Sequence, residues 1–143
     1  MLPKAALTVL PFLIPLPAAA QHIAVDLVCN MAVICIEADA CQDWGQEIHV
    51  TEQEDGSWRV LWEEDLPSDY DLVADIPAPE GSLEPTRLRS LLFANADTQA
   101  VQMVSIEDGG HLVVTLHQPQ ARPRAVTGFG LCATPDADAE AEE

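Results

Sequence analysis

The chain has 143 residues, of which 24 are Asp or Glu and 6 are Lys or Arg, so its formal net charge at pH 7 is −18. A surface this acidic repels nucleic acid and anionic lipid, and it attracts cationic proteins, peptides or metal ions. We therefore exclude DNA and RNA from the expected partners. The length and the 48% of hydrophobic residues suit one domain with a modest core.

Residues 1–20 have the pattern of a cleavable secretory signal peptide. Lys4 gives a positive start, an apolar stretch covers residues 5–16, and three alanines precede Gln21. The apolar stretch is shorter than the ~20 residues that a membrane-spanning helix needs, and its prolines would break a helix. We expect cleavage after Ala20, residence in the periplasm or outside the cell, and no membrane insertion of the mature chain.

Cleavage would also make the chain more acidic. Lys4 is the only lysine, so the mature chain would keep five arginines against 24 acidic residues, for a net charge of −19. Such a charge serves solubility, and it also favours association with a cationic protein or peptide.

In the first half of the mature chain, short segments alternate apolar and polar residues. Residues 23–27 and 32–37 are rich in β-branched and apolar side chains and predict two short strands. Residues 46–53 and 57–63 flank the dipeptide Asp55-Gly56, and both segments have period-two alternation. This pattern predicts a β-hairpin.

The middle of the chain is less regular. Residues 66–84 contain three prolines and a glycine, and they predict mainly a surface loop with a brief strand at 71–76. Residues 86–93 predict a strand. A helix over residues 83–95 is the alternative, because Leu88, Leu91 and Leu92 also fit helical spacing.

A second hairpin is predicted from residues 100–106 and 111–117. The two segments flank a turn that ends in Gly109-Gly110, and glycines supply the positive φ of tight turns. A last strand is predicted at 125–132, after a proline-containing loop. Residues 134–143 are acidic and have no apolar residue larger than alanine, so we expect a disordered tail.

Around eight short strands and no convincing helix predict an all-β fold for residues 21–133. A single antiparallel meander of this size hides its edge strands either by closing as a small barrel or by folding as a sandwich. The sequence does not distinguish the two.

Four cysteines in a small exported chain predict two structural disulfides. Cys29, Cys35 and Cys41 have C-x5-C-x5-C spacing, which suits neither zinc nor a redox C-x-x-C motif. We favour Cys35–Cys41, closing a small loop, and Cys29–Cys132, joining the first strand to the last. Cys29–Cys35 with Cys41–Cys132 is the main alternative.

Few residues point to chemistry. Residues 128–133 read Gly-Phe-Gly-Leu-Cys-Ala and match a dinucleotide-binding fingerprint, but a proline-containing acidic tail follows where that motif needs a helix. We expect these glycines to allow a bend or close packing. His111 and His117 lie six residues apart, about 20 Å along a strand, which is too far to share a metal ion. A cross-strand pair such as His49 with His111 stays open.

The acidic clusters match no calcium-binding loop, and no nucleophile motif is present. We therefore nominate no catalytic, metal-binding or cofactor-binding residue, and we do not expect an enzyme or a cofactor. Trp58 and Trp62 share one face of a predicted strand with Val60. Core packing is expected for this stripe, and an exposed contact patch or ligand cavity is the alternative.

The leader, the cysteine spacing, the hairpins and the closing strand over residues 126–132 together resemble small exported four-cysteine proteins of unassigned function from alphaproteobacteria. This resemblance implies periplasmic residence and no particular activity.

More loosely, the chain resembles periplasmic inhibitors of animal-type lysozyme, which are small β-barrels with a disulfide joining the ends of the domain. Their Ser-Gly-containing signature loop is not found here, so no inhibitory residue is carried over. We expect a binding module for a cationic protein or peptide. A carrier of a small ligand or metal is the alternative, and an enzyme is the least expected; the oligomeric state is left open.

Overall fold

The computed structural model describes residues 25–62, 66–83, 86–120 and 122–135. These residues form eight β-strands and no helix. The strands are β1 (Asp26–Ile36), β2 (Gln42–Glu52), β3 (Trp58–Trp62), β4 (Ser68–Ile76), β5 (Leu88–Asn95), β6 (Ala100–Glu107), β7 (His111–His117) and β8 (Ala125–Ala133).

Three sequence predictions fall on other residues. The signal peptide, His22 and most of the acidic tail lie outside the described part of the chain, so the expectations about them stay predictions.

The strands form a closed antiparallel barrel. Each strand pairs with the next along the chain, and β8 returns to pair with β1. The all-β prediction is therefore confirmed, and of its two forms the barrel is the one observed. Closure gives every strand two hydrogen-bonded neighbours, so no backbone edge is left open to other chains.

Alternating side chains fill the inside of the barrel. On β2, Ile48 and Val50 point inward and are fully buried, whereas Glu47, which precedes Ile48, is exposed. An eight-stranded barrel is just wide enough for side chains to fill its interior. The core consists of Cys29, Met31, Ile48, Val50, Trp58, Val60, Tyr70, Leu91, Val104, Ile106, Leu112 and Val114.

The first strand differs from its prediction. Two short strands were expected at 23–27 and 32–37, but β1 runs without a break through Cys29 and Asn30. A β-bulge between Met31 and Val33 shifts the inward and outward alternation, which hides the continuity in the sequence.

The expected loop over residues 66–84 is also wrong in part. The strand is not brief: β4 begins at Ser68, because Tyr70 is an inward-facing anchor opposite Trp58. A register shift between Leu72 and Ala74 breaks its alternation. The predicted strand at 86–93 is confirmed as β5, and the helical alternative is wrong.

Both predicted hairpins are confirmed. The β2–β3 turn contains Gly56 at φ 82°, and the Asp55 carboxylate accepts hydrogen bonds from the Ser57 amide (3.0 Å) and hydroxyl (2.6 Å). These bonds lower the pKa of Asp55. The β6–β7 turn contains Gly110 at φ 88°.

The two disulfides are the favoured pairs. Cys29 on β1 lies directly opposite Cys132 on β8, so this bond crosses the line along which the barrel closes. Cys35–Cys41 joins the end of β1 to the start of β2. Two disulfides are typical of a protein that folds in an oxidising environment outside the cytoplasm.

The two disulfides should differ in their contribution to stability. Their sequence separations are 103 and 6 residues, for which chain entropy gives about 4–5 and about 2 kcal/mol. We expect replacement of Cys29 and Cys132 by alanine to lower the free energy of unfolding in urea by more than the same replacement of Cys35 and Cys41. Equal losses of unfolding free energy in the two variants would contradict a barrel closure that depends on the Cys29–Cys132 disulfide.

Gly110 combines a positive φ with a close backbone neighbour. A Cβ there would lie 2.6 Å from the Cys132 carbonyl oxygen, and its φ is positive. We expect Gly110→Ala to cost at least about 1–2 kcal/mol in urea unfolding. Gly109→Ala is the matched control, because a Cβ at Gly109 meets nothing within 4 Å. An equal loss in both variants would argue against this turn geometry.

Candidate interaction surface

The interior of the barrel has a small polar region among the core side chains. The Tyr70 hydroxyl donates a hydrogen bond to the Gln102 side-chain oxygen. Burial raises the pKa of Tyr70, and a hydrogen bond with Trp62 opposes the rise. The indole nitrogen of Trp58 is buried and has no hydrogen-bond partner in the described part of the chain.

Tyr70 is the only tyrosine, so its titration can be followed directly by phenolate absorbance. Because its pKa is raised above the usual 10.0, the unfolded chain ionises first, and the stability that Tyr70 contributes is lost as pH rises above 10. We expect the midpoint of the phenolate titration to lie at higher pH in the folded protein than in the urea-unfolded protein. We also expect Tyr70→Phe to lose less stability at alkaline pH than the wild type. A folded-state midpoint at or below the unfolded one would be the contrary result.

The tryptophan stripe is part of the core. Trp58 is 2% exposed, and Trp62 is partly buried against the core and stacks on Trp44 with 6.1 Å between ring centroids. Core packing is therefore what the structure shows at Trp58, where no exposed contact patch exists.

The glycines of the last strand serve close packing. A Cβ at Gly128 would lie 2.6 Å from the Met31 methyl carbon, and one at Gly130 would lie 2.5 Å from the Asn30 carbonyl oxygen. Both glycines lie within β8 rather than at the start of a helix. A dinucleotide-binding loop is thus absent at these residues.

The three histidines in the described part of the chain do not converge. His111 and His117 are exposed at opposite ends of β7. His49 lies on β2, which is not a neighbour of β7, and its imidazole is 3.0 Å from the Glu47 carboxylate. Within the described ranges, no group of three or more His, Cys, Asp or Glu side chains could hold a metal ion.

The acids are distributed unevenly over the chain. Residues 25–57, which form β1, β2 and the turns after them, contain eight acidic residues and no lysine or arginine. We call this segment the acidic hairpin. Glu52 is half-buried, and the other seven acids are exposed: Asp26, Glu37, Asp39, Asp43, Glu47, Glu54 and Asp55.

Three arginines form ion pairs with acids elsewhere. Arg59 pairs with Asp69 at 3.1 Å and Arg89 with Asp108 at 2.8 Å. Arg87 donates two hydrogen bonds to Asp75, and this contact lowers the pKa of Asp75. These ion-pair partners lie on β4 and in the β6–β7 turn, outside the acidic hairpin.

The tip of the acidic hairpin is held in place. The Cys35–Cys41 disulfide closes it, and the Glu37 amide donates to the Ala125 carbonyl oxygen at 3.0 Å. The Glu37 carboxylate accepts a hydrogen bond from the Arg124 amide at 2.6 Å. The Asp39 carboxylate, by contrast, is exposed beyond these contacts, so the tip presents a negative charge on a fixed backbone.

The acidic hairpin is not recognisable as a unit from the sequence. The lack of Lys and Arg in residues 25–57 was a visible signal, but only strand pairing shows which acids share a surface. On β2, Asp43 and Glu47 point outward and lie opposite Val33 and Asn30 of β1. Their charges therefore share one outer surface of the barrel.

No helix among the described residues is long and apolar enough to span a membrane. Comparisons with known protein families, with characterised proteins and with solved structures find no match for this chain.

Proposed function

We propose that this protein is a binding module outside the cytoplasm that uses the acidic hairpin to bind a cationic protein or peptide. The observation that carries the proposal is the set of seven exposed acids in a segment with no lysine or arginine. Charge of one sign on one surface steers an oppositely charged partner and raises its association rate.

The energy of such a contact depends on several charges acting together. One exposed ion pair contributes only about 0.2–1 kcal/mol. The potentials of several acids on one surface add together. Salt screens the combined potential, which decays over a Debye length of about 8 Å at physiological ionic strength. Binding through the acidic hairpin should therefore be strongly dependent on salt.

A fixed backbone adds to this attraction. The tip is closed by a disulfide and hydrogen-bonded to Ala125 and Arg124. Binding a partner then costs little conformational entropy in the tip, which is the usual benefit of preorganisation. The looser resemblance to lysozyme inhibitors makes a basic lysozyme a suitable first probe.

The tightly filled interior favours a binding site on the outside of the barrel over one inside it. The inward positions hold large side chains such as Trp58, Met31 and Leu91, each at most 2% exposed. A carrier needs room among these side chains for its cargo, whereas a binding surface on β1 and β2 needs none.

Neutralising the acidic hairpin tests the proposal. We expect the triple variant Asp39→Asn, Asp43→Asn and Glu47→Gln to weaken binding of a basic animal-type lysozyme by about tenfold or more at low salt. The reason is the loss of three like charges from one surface. Isothermal titration calorimetry at low and at moderate salt gives the affinities.

The matched control neutralises three exposed acids elsewhere, Asp71→Asn, Glu80→Gln and Asp97→Asn, so both variants have the same net charge. We expect this control to keep most of the affinity, because its acids lie outside the acidic hairpin. Binding that is absent, insensitive to salt or weakened equally in both variants would overturn the proposal.

A further inference from the structure

The two disulfides lie in different surroundings. Cys29 is 0% exposed and belongs to the core of the barrel, and Cys132 packs against that core. Cys41, by contrast, is exposed, and Cys35 is half-buried. Exchange with a thiol needs direct access to a sulfur atom. A thiol in solution therefore reaches the Cys35–Cys41 bond more readily than the Cys29–Cys132 bond.

The sulfur that leaves during exchange also differs between the two bonds. Each exchange step releases one cysteine as a thiolate. Attack on Cys132 would release Cys29 as a charged sulfur inside the apolar core, where an unpaired charge is costly. Attack on Cys41 releases Cys35, which is only half-buried. The leaving group therefore also favours opening of the Cys35–Cys41 bond.

Opening the Cys35–Cys41 bond breaks no strand pairing. The last residue pair of the β1–β2 hairpin is Ile34 with Gln42, and the bond lies beyond this pair. The long disulfide, in contrast, lies within the β1–β8 pairing. The short disulfide is also expected to stabilise the fold less, so the fold in turn holds it closed less strongly.

The Cys35–Cys41 bond ties residues 38–41 to the barrel. Just before them, the Glu37 amide donates to the Ala125 carbonyl oxygen, a contact that does not depend on the bond. Among the described residues, the one backbone hydrogen bond of segment 38–41 runs from the Asp39 amide to the Ile36 carbonyl oxygen at 2.9 Å. Opening the disulfide therefore frees this segment, which includes the Asp39 carboxylate, while β1 stays paired with β8.

We propose that the Cys35–Cys41 disulfide is a redox switch that a dithiol reductant opens while the barrel stays closed. A thiolate of the reductant attacks Cys41, a mixed disulfide forms, and Cys35 leaves as a thiolate that takes up a proton. The second thiol of the reductant attacks the mixed disulfide and releases Cys41, which takes up the second proton. The reductant ends as a disulfide, and the two cysteines have gained two electrons. A disulfide oxidant reverses these steps.

The switch acts on the tip of the acidic hairpin. In the closed form, the backbone of Asp39 is fixed before a partner arrives. In the open form, ordering residues 38–41 costs conformational entropy, and we expect a cationic partner to bind about threefold more weakly. This effect on binding rests on the function proposed above, whereas the selective opening of the disulfide does not.

Selective reduction of the purified protein tests the switch. The oxidised protein is treated with dithiothreitol in native buffer, and free thiols are trapped by alkylation and located by peptide mapping. We expect Cys35 and Cys41 to be alkylated at least about tenfold faster than Cys29 and Cys132. Reduction in urea is the control, because unfolding exposes both disulfides and should largely remove the preference.

NMR relaxation of the backbone amides shows what opening does to the tip. We expect order parameters at residues 38–41 to fall from about 0.85 to below about 0.6 in the selectively reduced protein, and those of β6 and β7 to stay unchanged. The double variant Cys35→Ser and Cys41→Ser should reproduce the open form without any reductant.

Two results would overturn the switch: equal rates of reduction of both disulfides in native buffer, or loss of the barrel in circular dichroism once only Cys35–Cys41 is reduced. Unchanged order parameters at residues 38–41 in the open form would also count against it. These measurements need no partner, so their failure is distinct from a failure of lysozyme binding. Equal affinity of the open and closed forms for lysozyme would contradict the effect on binding.

Discussion

The pairing of β1 with β8 is the constraint on which the rest of the structure depends. Seven of the eight strand pairings join neighbours along the chain, but this one joins its two ends. The Cys29–Cys132 bond lies within it, and Gly130 lets the two backbones approach closely there. Without this pairing, β1 and β8 would both be open edges, and the inner face of the sheet would be open to water.

Closure also determines where the protein can act. Once the barrel is closed, its inward side chains pack against one another, and the outer surface is what other molecules meet. That surface has two different parts. Acids without arginines cover the hairpin of β1 and β2, and apolar or neutral side chains such as Met103 and Phe129 cover β5–β8. One chain thus offers two surfaces of different chemistry to other molecules.

Much of this fold could be predicted from local signals, such as Asp55-Gly56 between alternating segments and the cysteine spacing. Strand bounds were predicted wrongly in β1 and β4, because register shifts there break the inward and outward alternation on which strand prediction relies. Barrel and sandwich could not be separated, because only long-range pairing distinguishes them. The acidic hairpin was missed for the same reason, since Asp43 and Glu47 come to lie beside Val33 and Asn30 of β1 only through strand register.

Amide hydrogen exchange of the oxidised protein tests the closed barrel most directly. In a closed barrel, the amides that pair β1 with β8 exchange only when much of the domain opens. We predict that their protection matches that of the amides between β6 and β7, which pair through a simple hairpin. Exchange at the β1–β8 pairing that is orders of magnitude faster than between β6 and β7 would mean an open sheet, and it would contradict the account.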